Sequence, residues 1–175
     1  MERGIREAPG EIEILNRDGC KGIPYAAVRG VHLEQAVSLS YSGDAVSAAI
    51  GNGCRIGTDL ERIGNVTGPV IRRFFTPGEQ RHLQGLNDGN AALRIWCFKE
   101  ALVKAMGARL LNEALKIEVF ENRETGEFLV EMNETSLPKE REAEILLAEN
   151  QEFCQVTCFF PEARRNNNGN RRERK

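Results

Sequence analysis

The sequence predicts an α+β fold in which an antiparallel sheet packs against one long helix. Three observations lead there. Apolar runs early in the chain are separated by tight-turn signals, above all Gly51-Asn52-Gly53. A capped helical phrase follows, and then a longer helix ending before Gly107. After Gly107 the composition returns to short strand-like runs.

Taken in order, Met1–Gly10 is polar and expected to fray. Glu11–Leu15 suits a short strand, closed by the turn former Asp18-Gly19. Gly22-Ile23-Pro24-Tyr25 makes a second break, because proline holds its predecessor extended. Ala36–Leu39 and Ala45–Ile50 read as strands, with Ser40-Tyr41-Ser42-Gly43-Asp44 as the turn between them. Cys54–Leu60 is the next strand, on the far side of the Gly51-Asn52-Gly53 hairpin turn.

Val66–Phe74 suits a short helix. Thr76, Pro77 and Glu79 combine an N-cap, a proline at the first helical position and a capping box, so a helix runs from Pro77 to about Leu86. Asn87–Asn90 interrupts it, and a helix over Ala91–Met106 follows. Phe98, Ala101, Leu102 and Ala105 form its apolar stripe, with Trp96, Lys99, Glu100 and Lys104 on other sides. Ala114–Phe120, Glu127–Met132, Ala143–Ala148 and Phe153–Phe160 read as strands, although Leu137–Asn150 has the propensity of a helix.

The chain has 175 residues, 41% of them hydrophobic, enough for one core. Its net charge of -2 hides an asymmetry. Arg164–Lys175 carries six bases and one acid, leaving a body of 18 bases and 25 acids. A body of that sign is no nucleic-acid footprint. No apolar run suits a membrane span, and no secretion signal opens the chain. Five cysteines without a CxxC point to buried thiols and a cytoplasmic setting, with Cys154 and Cys158 packing on a strand face. Only His32 and His82 are present, so a metal here would be a hard ion held by oxygen.

Two stretches carry the chemistry. In RIGTDLER (Arg55–Arg62) strand alternation puts Asp59 and Glu61 on one face. In ALRIWCFKEALVKAMG (Ala92–Gly107) helical spacing stacks Glu100 on Lys104. Taken singly, each pair is ordinary surface charge, an i,i+4 pair being worth a few tenths of a kcal/mol. Together, beside Gly57 and anchored by Trp96, they suit a cation and a phosphate.

The paired phrases resemble the signature of the 4′-phosphopantetheinyl transferases. That family's pattern is G-x-D-x-E, followed by W-x-x-K-E-A-x-x-K. Here it is met by Gly57, Asp59 and Glu61, then Trp96, Lys99, Glu100, Ala101 and Lys104. RRFFTPGEQ, VSLSYSG and Gly22-Ile23-Pro24-Tyr25 are similar to its F-F-(S/T)-x-x-E, (I/L)-S-H-S and G-K-P-(Y) elements. The resemblance implies Mg²⁺ ligands at Asp59, Glu61 and Glu100, and coenzyme A contacts at Ser40, Tyr41 and Lys99; Lys21, close to the position of the family's G-K-P lysine, and Arg55 are further candidates for coenzyme A contacts. It makes Glu100 the proton acceptor and Lys104 the group that meets the departing phosphate.

The implied reaction moves 4′-phosphopantetheine from coenzyme A to a serine of an acyl or peptidyl carrier protein, in fatty acid or polyketide biosynthesis. A non-catalytic homologue that binds a carrier or scaffolds a synthase is the alternative. Tyr41 stands where the family has histidine, and Ile23 where it has the lysine of G-K-P. With 54 residues before Arg55, the chain resembles a second lobe plus the end of a first. That implies a homo-oligomer, a trimer among the options, or neighbouring synthase domains. The expected division is an extension over 1–19, the transferase-like domain over 20–162 and a basic disordered tail over 163–175.

Overall fold

The computed structural model describes residues 11–16, 24–86, 88–107, 113–122, 124–132 and 144–161. Residues 1–10 and 17–19 of the N-terminal extension, Lys21, Ile23, residues 137–143 of Leu137–Asn150 and the basic tail lie outside them.

The α+β class holds, with the antiparallel strands divided among three sheets. Strands β1 (Ile12–Asn16), β2 (Pro24–Val28), β3 (Val31–Ser42) and β4 (Ala45–Gly51) form a meander in chain order. Strands β5 (Cys54–Arg62), β8 (Glu144–Glu149) and β9 (Phe153–Pro161) form a second sheet in the order β5-β9-β8. Strands β6 (Ile117–Glu121) and β7 (Phe128–Met132) make a separate hairpin. Helices α1 (Gly68–Phe74), α2 (Pro77–Gln84) and α3 (Ala91–Ala105) lie between β5 and β6 in the chain.

Three sequence expectations need correction. Ser40 and Ser42 are not in a turn: β3 continues through both, and the turn shrinks to Gly43-Asp44. Gly51-Asn52-Gly53 joins two sheets instead of closing a hairpin within one, because β5 pairs with β9 along its length. Ala114–Lys116 is a 3₁₀ turn, and its strand begins at Ile117. The strand read over Ala143–Ala148 is present as Glu144–Glu149, paired with β9, in place of the helix its propensity would allow.

The free edge of β5 is met by side chains. Ser38 Oγ accepts the Thr58 N–H (2.9 Å), and Ser42 Oγ accepts the Arg62 N–H (3.0 Å). Both pairs are 20 residues apart, so β3 and β5 run in the same direction at this seam. Thr58 Oγ1 adds contacts to Ser47 and Thr157 on the neighbouring strands. These hydroxyls satisfy backbone groups that would otherwise be buried without partners.

Helix α3 is buried on nearly every side, more widely than its four-residue stripe suggests. Trp96 is buried against Phe74 and Phe75, while Phe98, Leu102, Ile117, Val119 and Val156 fill the centre. Gly107 follows the helix at φ 66°, a left-handed conformation that favours glycine at this position. Cys97, Cys154 and Cys158 all pack in this core. Burial pushes the Cys158 thiol up to about 12, so it is a packing group rather than a nucleophile. Among the described residues no helix is long and apolar enough to cross a membrane.

Lys99 is fully buried, at 0% exposure. Its ammonium donates to Glu79 Oε1 (2.9 Å), Glu79 Oε2 (2.7 Å) and the Phe74 carbonyl (3.0 Å). Glu79 also closes the capping box with Thr76 and accepts the Val119 N–H (2.9 Å). One ion pair thus ties the end of α1 and the start of α2 to α3 and β6. Burial pushes the Lys99 pKa down, and the Glu79 charge opposes that. Breaking such a pair from one side leaves an uncompensated charge. Lys99→Met is therefore expected to cost about 3–5 kcal/mol in urea unfolding. A loss below about 1 kcal/mol would contradict this assignment.

Candidate active site

The site forms where β5 meets α3. Residues 55, 57, 59 and 61 share one face of β5, and this face looks toward the helix. Gly57 permits the contact: a Cβ there would overlap the Ala101 carbonyl oxygen and the Ala105 nitrogen. The backbones therefore approach as no other residue at position 57 would allow.

Lys104 reaches across this junction. Its Nζ lies 2.7 Å from Asp59 Oδ1, 3.1 Å from both Ser40 Oγ and the Thr58 carbonyl, and 3.6 Å from Glu100 Oε2. Ser40 Oγ in turn donates to Asp59 Oδ1 (2.8 Å). Asp59 is 2% exposed, and its Oδ2 is buried with no hydrogen-bond partner among the described residues. Glu61, further along the strand, accepts from Ser42 Oγ (3.0 Å) and Asn65 Nδ2 (2.7 Å).

The structure therefore brings Asp59, Glu100, Lys104 and Ser40 together, with Glu61 at the rim. Asp59, Glu61 and Glu100 do not converge as a ready-made ligand triad. Among the described residues no group of three His, Cys, Asp or Glu side chains is gathered as a metal cluster.

Three further candidates lie apart from this group. Lys99 is committed to Glu79 in the core, so it is withdrawn from any phosphate; adjacent helical residues point about 100° apart, and only Glu100 takes the β5 side. Tyr41 is 79% exposed, on the face of β3 opposite Ser40 and Ser42. Arg55 is half-buried with its guanidinium over Phe160, 5.4 Å from the ring centroid. Ser38 and Asn65 were not singled out in the sequence. For Ser38 a signal exists, the period-two spacing of Ser38, Ser40 and Ser42. For Asn65 there is none, since it is one polar residue in a loop.

Burial pushes the Glu100 carboxyl up to about 7, with the Asp59 charge adding to the rise and Lys104 opposing it. In the unfolded chain the group titrates near 4.5. Between those values the folded state holds the proton and the unfolded state does not. Stability from this group is thus full below the lower value and lost as pH rises toward the upper one. In metal-free buffer the urea-unfolding free energy is expected to fall by on the order of 2 kcal/mol from about pH 5 to about pH 8 relative to Glu100→Gln. A difference between the two proteins that stays flat with pH would show that Glu100 is not desolvated in this way.

Comparison with known proteins adds the family. The profile of the 4′-phosphopantetheinyl transferase superfamily (ACPS) matches residues 55–157, more than half of the chain. No curated protein matches the chain in sequence. Among solved structures it is similar to a holo-(acyl-carrier-protein) synthase from Bacillus anthracis in complex with CoA (3′,5′-ADP). That likeness has 19% identity and a TM-score of 0.49, and covers 62% of this chain and 96% of that one. It is also similar to an ACPS–CoA complex from Chronobacterium ammoniagenes, with 19% identity, a TM-score of 0.48, and coverage of 65% and 100%. The profile match begins at β5 and takes in Asp59, Glu61, Glu100 and Lys104 together. The chain belongs to the 4′-phosphopantetheinyl transferase superfamily.

Proposed function

We propose that the protein transfers the 4′-phosphopantetheine arm of coenzyme A to a serine of an acyl or peptidyl carrier protein, with Mg²⁺, releasing adenosine 3′,5′-bisphosphate. One observation carries this reading. A buried carboxylate with an orphaned oxygen, Asp59, lies beside a second carboxyl whose pKa is raised and a lysine that touches both. That arrangement has excess negative charge on the carboxylates and a movable positive group.

Asp59, Glu61 and Glu100 are the residues that would hold the Mg²⁺, since carboxylate oxygens suit a hard ion. The unpartnered Asp59 Oδ2 and the disfavoured charge on Glu100 are both features that a cation relieves. An ion held there would supply positive charge to offset that of the pyrophosphate.

The remaining work falls to the chain's own groups. The carrier serine Oγ bonds to the phosphorus that bears the pantetheine, and the bond from that phosphorus to the bridging oxygen breaks. Adenosine 3′,5′-bisphosphate leaves with that oxygen. Glu100 takes the serine proton. Lys104 stabilises or protonates the leaving phosphate. Ser40 positions Asp59 by its hydrogen bond.

The test is the intact mass of an apo carrier protein incubated with the enzyme, coenzyme A and Mg²⁺. A gain of one phosphopantetheine is expected, and Glu100→Ala should slow it by about 100-fold or more. No gain across several carriers would leave the non-catalytic, carrier-binding reading in its place.

A second copy of the chain is the further partner we propose. An antiparallel sheet exposed on one face ordinarily turns polar residues outward. Here the serines of β3 and β4 turn inward, while Leu39, Tyr41, Val46 and Ile50 are exposed, Val46 at 74%. None of these outward residues is charged, so the face suits an identical face without repulsion. Light scattering is expected to give a mass above the monomer's, and Val46→Asp to lower it. A wild-type monomer at micromolar concentration would count against this partner.

A further inference from the structure

Glu61 is held by a different kind of partner from Asp59. Lys104 pairs with Asp59, whereas Glu61 receives two neutral donors, Ser42 Oγ (3.0 Å) and Asn65 Nδ2 (2.7 Å). Both bonds end on the same oxygen, Oε2. The guanidinium of the neighbouring Arg62 is engaged elsewhere. It leaves the opposite face of β5, donates to Asp44 Oδ1 (2.8 Å) and lies over the Phe153 ring, 5.0 Å from the centroid.

The donors on Glu61 are fixed in turn. Ser42 Oγ accepts both the Arg62 N–H (3.0 Å) and Asn65 Nδ2 (3.1 Å). A hydroxyl has two acceptor sites and one proton, so the Ser42 proton is left for Glu61. Asn65 is brought back to the strand by a turn. Its N–H donates to the Arg62 carbonyl (3.1 Å), with Gly64 at φ 92°, the left-handed position that a type II turn requires. The Ile63 N–H donates to the Glu152 carbonyl (2.8 Å), which ties this turn to the one before β9. Ser42, Glu61 and Asn65 thus form a closed triangle of side-chain hydrogen bonds.

A carboxylate that is to hold a metal needs orientation without loss of charge. An ammonium or guanidinium on Glu61 would orient it, but would also offset the charge that a cation requires. An amide and a hydroxyl orient it and leave its charge to the ion. We propose that Asn65, acting with Ser42, is the positioning residue for Glu61 as a ligand to the divalent cation. It sets the carboxylate plane through Oε2 and leaves the second oxygen to the ion. The inference rests on the transferase reading above, and Asn65 belongs to neither of the paired phrases that suggested that reading.

Mn²⁺ serves as the probe, titrated into the full chain and followed by the electron paramagnetic resonance signal of the free ion. Asn65→Ala is expected to weaken Mn²⁺ binding about tenfold. Ser42→Ala should do the same by removing the other donor, and Ser42→Thr, which keeps the hydroxyl, should bind as the wild type does. In a Glu61→Gln background Asn65→Ala should cost nothing further, because its route to the metal is already cut. That cycle separates positioning from a general loosening of the fold, which would weaken binding by the same factor in both backgrounds. Wild-type affinity in Asn65→Ala, beside weakened binding in Glu61→Gln, would overturn the inference and leave the transferase reading intact. An equal loss in both backgrounds would overturn it too. If the wild type binds no Mn²⁺, the metal reading falls with it.

Discussion

The distance between β5 and α3 governs this molecule. Gly57 sets it, because the helix backbone occupies the space where a side chain would stand. From that contact follows the reach of Lys104 to Asp59, and with it the burial that raises the Glu100 pKa. The same contact gives α3 its unusual environment, with strands on one side and the hairpin β6–β7 on another. A helix enclosed in this way has little room for charge. It keeps three charged side chains in a short stretch by giving each a different solution: Lys99 a buried partner, Lys104 a set of acceptors across the seam, and Glu100 a raised pKa.

The division of labour between Lys99 and Lys104 explains why neighbouring basic residues on one helix serve different ends. Lys99 has all three ammonium donors satisfied within the core, in a network that also completes a helix cap. It is part of the framework. Lys104 is partly exposed and shares its contacts between a hydroxyl, a carbonyl and two carboxylates. A group with several moderate partners can exchange one of them for a ligand at small cost, whereas a fully paired buried group cannot.

Much of the fold was legible in residue patterns. The capping box at Thr76 and Glu79, the C-terminal glycine of α3, and the alternation through Asp59 and Glu61 all rest on local stereochemistry, which sequence records directly. What failed to show was set by long-range pairing. Ser-Tyr-Ser-Gly-Asp has the composition of a turn, but its first three residues extend β3, paired with β4 and with their serine hydroxyls bonded to β5. Gly51-Asn52-Gly53 reverses the chain, yet nothing in a turn says which sheet the next strand joins. At the site, Asp59, Glu100 and Lys104 could be grouped from spacing and resemblance. The withdrawal of Lys99 could not, since its fate depends on Glu79, twenty residues away.

The serine seam along β5 has one more consequence, for the reliability of assembly. A strand with an open edge is a template on which another chain can add, and edges of that kind lead to aggregation. Here β5 is an edge strand of its sheet, but its outward N–H groups at Thr58 and Arg62 are engaged by hydroxyls. The two attachment points also act as a register pin. A slip of β5 by one residue would turn Asp59 and Glu61 away from α3 and bring Thr58 and Leu60 to the helix in their place. Small polar side chains on β3 therefore guard both the solubility of the strand and the identity of the residues it presents.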